Sequence, residues 1–322
     1  MRVLRAAVEG DGYRCSLAEV ERPSPKPDEV LVRVAASGLN RADLSQIAGR
    51  YPPPPGEPET LGLELSGTVV GSGEKVCALV AGGAHAEYAA VPRGQILRAP
   101  SRLGLVEASV IPEAYLTAYL NLVIEGGLER GGRALIHAGA SGVGLAAIQI
   151  VRYVGASPAA TTRSAEKLPA LRQAGAELAI DSAAGDFREA IERTWGSGAI
   201  DVVLDPVGAD TLAGDLSVLR TGGRIVFLAT MSGAKAELDI ARLMERRARI
   251  IGSTLRSRSR EEKAALVSRF RTDILPGFET GALSPAVDSI FPPERAGEAL
   301  ARMRANRNSG KILIDWTAPA QP

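Results

Sequence analysis

The stretch "LIHAGASGVGLAAIQIVRYVGA", Leu135 to Ala156, sets Gly139, Ser141, Gly142 and Gly144 between an apolar run and a helical pattern. A strand that turns tightly into a helix leaves N–H groups free at the helix start. Those donors and the helix dipole attract an anion such as a pyrophosphate. Gly139 permits the turn, the small Ser141 and Gly142 beside Val143 let phosphate approach, and Gly144 lets helix and sheet pack closely. The spacing Gly139-x-Ser141-x-x-Gly144 is the dinucleotide fingerprint with serine at its middle glycine. Glycine-rich turns also arise from packing alone; the position of this one at the head of six strand-like segments favours a nucleotide.

The adenine ribose is read at the end of the second strand. A carboxylate there suits NAD, and cationic or hydroxyl side chains suit the 2′-phosphate of NADP. The segment "TTRSAEKL" offers Arg163, Ser164 and Lys167 and no carboxylate at the turn itself, which predicts NADPH. The bland alternative is a solvated helix start capped by Ser164. No Ser/His/Asp or paired-carboxylate constellation accompanies these residues. A catalytic zinc needs about three protein ligands, and the 2 histidines and 2 cysteines are isolated from one another, so no metal is expected. His137, inside the first strand, reads as a buried, hydrogen-bonded histidine, and His85, in "GGAHAEY", as structural.

The elements that must position these residues follow from length and rhythm. A chain of 322 residues exceeds the usual single core, so two domains are expected. "EVLVRVAASG" alternates like a half-buried strand, and "LELSGTVVGSGEKVCALV" resumes strand character with glycines at turns. Between them, the prolines of "YPPPPGEPET" dictate a rigid loop over Tyr51 to Thr60. From about Val110 the rhythm becomes βα: strands at 134–137, 159–162, 178–180, 201–204, 224–228 and 249–252, with helices at 143–154, 165–174, 187–194 and 211–219. Such a series calls for a parallel sheet covered on both faces, with Pro158 as the first residue of its strand. Strand carboxyl ends face the ligand crevice in these sheets, so Leu228, Thr230, Met231, Thr254 and Leu255, after strands five and six, are expected to touch the cofactor. A charged helix from Glu261 to about Ile274, a helix in "PPERAGEALARM" and a strand in "GKILIDW" form a tail too small to fold alone, which therefore returns to the first domain.

Bulk properties exclude several classes. Apolar content of 45%, charged content of 23% and a net charge of +1 leave no whole-chain argument for a nucleic-acid or anionic-membrane partner. The arginines at 242, 246, 247, 249, 256, 258 and 260 read as a solvated face, since no aromatics are interleaved for base stacking. No apolar stretch has the length of a bilayer span, and the start "MRVLRAAVEGDGY" lacks a signal-peptide core, so a cytoplasmic protein without a membrane partner is expected.

With these residues in hand, the chain resembles the zinc-free quinone oxidoreductases of the medium-chain dehydrogenase/reductase superfamily. The likeness rests on "GLNRADLSQIAGRYPPPPG", "LGLELSGTV", "AHAEYAAVP", "PEAYLTAY", "AGASGVGLAAIQ", "DVVLDPVG" and "SGKILI"; "LIHAGASGVG", "LRSRS" and "ILPGF" are most similar to the stress-inducible, apoptosis-associated branch. The resemblance implies an α/β fold: a Rossmann doubly wound parallel sheet over 117–261, and a GroES-like, mostly β catalytic domain from 1–116 and 262–322, with a cleft between them. It also implies a homodimer joined through the last Rossmann strands.

By motif match, Asn40 and Tyr51 are expected beside the nicotinamide. The phenol of Tyr51 stacks on or hydrogen-bonds a quinone, or simply packs the proline-rich loop. Asp43 orients Asn40 or caps a helix, the cap being favoured. Thr117 is expected near the nicotinamide ring. Lys311 is expected at cofactor or substrate, or else as an exposed strand lysine. Where relatives hold the 2′-phosphate near the end of the third strand, this chain has Asp181 and Ser182, and Asp181 would repel a phosphate if it pointed inward. Zinc alcohol dehydrogenases have a cysteine where this chain has Asn40 and a histidine where it has Leu63. The resemblance implies hydride or single-electron transfer from NADPH to a quinone; the alternatives are reduction of an enoyl-thioester or enone C=C bond, and a non-catalytic NADPH-binding or crystallin-like role.

Overall fold

In a computed structural model that describes residues 1–318, the alternating segments of the first third become seven strands. They are β1 (Arg2–Glu9), β2 (Gly12–Glu19), β3 (Glu29–Gly38), β4 (Glu64–Val69), β5 (Lys75–Leu79), β6 (Tyr88–Pro92) and β7 (Ile96–Arg98). Near the C-terminus β14 (Val287–Phe291) and β15 (Lys311–Asp315) join them. β1 and β2 form an antiparallel ribbon; the others make a mostly antiparallel sheet in the order β14-β15-β3-β4-β5-β7, with β6 also pairing β3. β3 departs from a half-buried strand: from Val34 to Gly38 every residue is buried, because β15 and β4 flank this half of it. The tail returns as its size requires, with Leu313 opposite Gly38 and Asp315 opposite Ala36. Val32, Val34, Leu65, Val76, Leu300, Ile312 and Trp316 form this core. Each large apolar side chain so buried contributes roughly 1.5–3 kcal/mol.

The middle of the chain supplies β8 (Arg133–Ile136), β9 (Ser157–Thr162), β10 (Leu178–Asp181), β11 (Ile200–Asp205), β12 (Leu219–Phe227) and β13 (Arg249–Gly252). All are parallel, in the order β10-β9-β8-β11-β12-β13. Counted from β8 this is 3-2-1-4-5-6, the Rossmann order. Helices Gly142–Tyr153, Leu168–Gln173, Phe187–Trp195 and Leu212–Val218 connect the first five strands, and the second follows a 3-10 turn at Ala165–Lys167. Pro158 is the second residue of β9 rather than the first, and its carbonyl still joins the ladder by accepting the Glu177 N–H at 2.9 Å. A helix at Ile240–Arg246, absent from the sequence reading, is capped by Asp239 and fully buries no residue; of its short apolar stripe, Leu243 packs against the core while Ile240 and Met244 stay exposed.

By its contacts the chain divides into one unit of Met1–Leu116 with the chain from Leu255 onward, and a second of Thr117–Thr254. Residues 319–322 of the expected catalytic domain lie outside the described residues. The return to the first unit comes at Leu255, earlier than the expected residue 262. Arg256 is the reason. Its buried guanidinium donates to the Ala81 carbonyl at 2.7 Å, the Tyr51 carbonyl at 3.1 Å and Gln46 Oε1 at 2.8 Å, all in the first unit. Among the described residues, no helix is long and apolar enough to cross a membrane.

Candidate active site

In the second unit, β8 runs into a corner built almost wholly of main chain. Ala138 sits in the left-handed region at φ 50°, an uncommon conformation for a residue with a side chain. The Gly139 N–H donates to the Thr161 carbonyl at 2.8 Å and the Ser141 N–H to the Ala138 carbonyl at 2.9 Å. Ser141 then caps the helix, its hydroxyl accepting the Gly144 N–H at 3.0 Å, while its own proton stays available to a ligand. The glycines differ in role from the sequence reading. A Cβ at Gly139 would lie 2.9 Å from the Ala160 Cβ on β9, so this is the residue that lets corner and sheet approach. A Cβ at Gly144 would lie 2.6 Å from both the Ala138 and Gly139 carbonyl oxygens, so Gly144 serves the corner's own backbone. Gly142 and Val143 open the helix, where N–H groups lack intrahelical partners.

Arg163 follows β9 and is exposed; Ser164 is half-buried, and its side chain makes no cap hydrogen bond. Lys167 closes the 3-10 turn. Ser182 is turned back onto β9, its hydroxyl donating to the Thr162 carbonyl at 3.2 Å. The Asp181 carboxylate accepts the Ala183 N–H at 2.9 Å, so it caps its own turn. Leu228, Thr230 and Met231 follow β12 in a loop hydrogen-bonded to residues 205–207. That neighbouring loop is shaped by buried Asp205, whose carboxylate accepts from the Val207 and Gly208 N–H groups and the Thr211 hydroxyl at 2.5, 3.1 and 2.6 Å. Thr254, exposed, follows β13. These residues therefore collect at the carboxyl ends of the parallel strands. Leu255 does not join them, because it is buried in the first unit. Thr117 Oγ1 is buried without a hydrogen-bond partner. A main-chain corner with unpartnered N–H groups at a helix start suits a diphosphate, and the orphaned Thr117 hydroxyl is a donor a ligand could satisfy, so the residues present fit a dinucleotide.

His137 is buried as expected, its Nδ1 2.9 Å from Thr161 Oγ1 and its Nε2 2.7 Å from Asp215 Oδ1.

In the first unit a network of side chains converges around Asn40. Asn40 precedes the helix Arg41–Ile47, and Asp43 caps it by accepting the Asn40 backbone N–H at 2.7 Å. Asp43 also accepts the Gly62 N–H at 3.1 Å and lies 3.5 Å from His85 Nε2, while His85 Nδ1 is 2.8 Å from Ser37 Oγ. Burial pushes the Asp43 carboxyl up, but His85, the Asn40 N–H and Lys311 together hold it below the usual carboxylate range. Lys311 is neither exposed nor available to a cofactor. Its buried ammonium donates to the Leu39 carbonyl at 2.7 Å and Asn40 Oδ1 at 2.6 Å, and pairs with Glu64 Oε1 at 2.5 Å. These partners account for its three donors. The Asn40 amide donates in turn to the Gly38 carbonyl at 3.1 Å and Glu64 Oε1 at 3.2 Å, so both its ends are held.

Three members of this unit escaped the sequence reading. Glu64 is fully buried on β4, and burial raises its carboxyl despite Lys311. Its Oε2 accepts the backbone N–H of Glu113 at 2.8 Å. Glu113 lies in a π-helical turn, Ile111–Tyr115, and is partly exposed. Arg256, placed by its sequence context on a solvated face, is buried with its guanidinium 5.2 Å from the centre of the Tyr51 ring. The only available signals were a lone carboxylate within the apolar "LGLELSGTV" and a lysine opening an apolar strand. Arg260 also departs from that face, pairing with Asp28 at 3.1 Å and Glu29 at 2.9 Å. Among the described residues, no group of three or more His, Cys, Asp or Glu is placed to hold a metal ion.

The family model for the alcohol dehydrogenase GroES-like domain matches residues 26–101, and that for the zinc-binding dehydrogenase matches 142–271. The rat synaptic vesicle membrane protein VAT-1 homolog is 32% identical over 315 residues, covering 91% of this chain and 78% of the relative. Human quinone oxidoreductase is 28% identical over 308 residues, covering 92% of each. Among solved structures, the quinone oxidoreductase from Thermus thermophilus, described also in complex with NADPH, matches with a TM-score of 0.82 at 31% identity, covering 98% of this chain and 100% of that one. Fold, matched domains and relatives agree that the chain belongs to the quinone oxidoreductase branch of the medium-chain dehydrogenase/reductase superfamily.

Proposed function

We propose that this oxidoreductase is an NADPH-dependent quinone reductase that works without a metal. The observation that carries the reading is the main-chain corner from Ala138 to Gly144 at the head of a 3-2-1-4-5-6 sheet, with Arg163 and Lys167 one strand away. The N–H groups of Gly142 and Val143 and the Ser141 hydroxyl would hold the diphosphate, and Arg163, Ser164 and Lys167 the 2′-phosphate. Support comes also from the Thermus relative, described with NADPH, and from the human relative named for quinone reduction.

Bound NADPH would supply a hydride. An electrophilic acceptor then needs mainly to be held flat and close, because proximity carries much of such a rate. Tyr51 offers the flat surface. Its backbone is pinned by Arg256 and its ring rests near that guanidinium, so the proline loop presents it in one orientation. Asn40, clamped by Lys311 and Glu64, is a fixed polar neighbour. Metal independence is consistent with Asn40 and Leu63, which offer neither the thiolate nor the imidazole of a zinc site. The reading extends to a homodimer paired along β13, the sheet edge; the exposed Ile250 on that strand and the exposed Ile240 and Met244 beside it in sequence support this.

The test follows NADPH absorbance with purified protein and ortho- and para-quinones, a crotonyl-thioester and a simple enone. Quinone turnover that weakens in Tyr51→Ala is expected, and turnover of the thioester alone would overturn the reading.

A further inference from the structure

The buried ionisable groups around Asn40 are committed to partners within the first unit. Asp43 is spent on the Asn40 and Gly62 N–H groups and His85. Glu64 is spent on Lys311, Asn40 and the Glu113 N–H, and Lys311 on Leu39, Asn40 and Glu64. Lys263 donates to the Arg256 carbonyl at 2.6 Å, and Arg256 to three acceptors of its own. Two members of the group are half-buried as residues, and neither the Glu113 carboxyl nor the Tyr51 hydroxyl makes a hydrogen bond among the described residues. Hydrogen bonds tie both to one helix: Glu113 is joined through Glu64 to Asn40, which precedes Arg41–Ile47, and Tyr51 through Arg256 to Gln46 within it. Glu113 is also anchored. Its backbone N–H is fixed by buried Glu64, and it occupies a π-helical turn, a widened form that recurs at functional sites.

Resting on the reductase reading above, we propose that Glu113 is the acid that protonates the reduced acceptor, with Tyr51 lining the acceptor's place rather than donating to it. The quinone takes up a hydride, with its two electrons, from NADPH and becomes a hydroquinone monoanion, while the coenzyme is oxidised to NADP⁺. The Glu113 O–H bond breaks, a new O–H bond forms on the acceptor oxygen, and the resulting carboxylate recovers a proton from solvent. The same carboxyl would serve an enone by protonating the carbon next to its carbonyl.

The charges around the two groups sort their roles. Burial and the neighbouring Glu64 raise Glu113 to about 8, with Asp43 adding to the rise and Lys311 and Lys263 opposing it. Burial and Glu113 push the Tyr51 phenol above its ordinary value, with Arg256 opposing. At neutral pH Glu113 therefore holds a proton it can release, whereas the phenol holds its own too firmly. A donor matched to the working pH is the more effective acid.

The experiment compares Glu113→Gln, Tyr51→Phe and the unaltered full-length protein. Glutamine keeps the shape and the neutral charge and lacks the acidic proton. Turnover of the unaltered protein should fall above about pH 8. Glu113→Gln should lose that fall, with kcat lowered ~10²-fold at neutral pH, the lower end of what general acids contribute. Tyr51→Phe should keep it. In cofactor-free protein carrying carboxyl-labelled glutamate, carbon NMR should show one carboxyl titrating near that same pH, absent from Glu113→Gln. Quinone turnover with an unchanged basic limb in Glu113→Gln, or no such resonance, overturns the acid and leaves the reductase standing. Failure of the unaltered protein to reduce any acceptor overturns the reductase reading, and this role with it, even where the carboxyl titrates as expected.

Discussion

The two units hold their functional residues in opposite ways. The corner in the second unit is a backbone device: Ala138, Gly139 and Gly144 matter for atoms they lack or angles they adopt, and one short segment supplies them. The network in the first unit is a side-chain device, drawing on Asn40, Glu64, Glu113, Arg256 and Lys311 from five separate parts of the chain. A backbone device is sensitive to size and indifferent to charge; a buried ionic device is the reverse. The contrast predicts which substitutions hurt in each unit.

The largest effect is expected where a charge is stranded. Lys311→Met would leave Glu64, fully buried, without its cation; breaking a buried pair in this way costs about 3–5 kcal/mol. Adding Glu64→Gln should recover part of the loss, since two apposed residues couple by roughly 0.5–3 kcal/mol. Denaturant unfolding of both single variants and the double variant closes the cycle, and a Lys311→Met cost under about 1 kcal/mol would break the comparison on the ionic side. Gly144→Ala tests the other side. Its new methyl would meet two carbonyl oxygens at 2.6 Å, and overpacking of this kind costs about 1–3 kcal/mol. It should also abolish calorimetric binding of NADPH. Ser141→Ala, which removes only the cap, should cost about 1 kcal/mol, and equal costs for the two would sharpen the corner's role towards capping.

The same contrast explains what the sequence made legible. A backbone device is written in adjacent letters, so Gly139 to Gly144 could be read directly, as could the six strands around them, whose apolar runs are dictated by burial on both faces. The prolines after Tyr51 likewise announced their loop through fixed φ angles. Glu64, Glu113 and Arg256 gave no such signal. Each sits in an ordinary local pattern, and its importance comes from partners remote in the chain, such as Arg256 reaching back to Gln46 and Ala81. A run of arginines is normally a surface, and only tertiary contacts separate Arg256 and Arg260 from their neighbours. Lys311 is hidden in the same way, its buried pairing invisible without Glu64 opposite.

The smallest expected effect concerns the one part of the corner's surroundings that does act through charge. Arg163 is exposed beyond β9, and a charge-assisted hydrogen bond to a phosphate contributes about 1.5–3 kcal/mol, reduced at an exposed position by solvent screening. Arg163→Ala with Lys167→Ala should therefore raise the KM for NADPH about tenfold and leave that for NADH little altered. Salt supplies an independent check. At 0.1 M ionic strength the screening length is about 10 Å, so added salt should weaken NADPH in the unaltered protein and barely affect the double variant. Asp181 does not upset this expectation, because its carboxylate is drawn back onto the Ala183 N–H. Equal changes for both coenzymes would mean that the basic end of β9 acts on the shared diphosphate, or only on local folding. The discrimination between coenzymes would then have to come from the strand ends themselves.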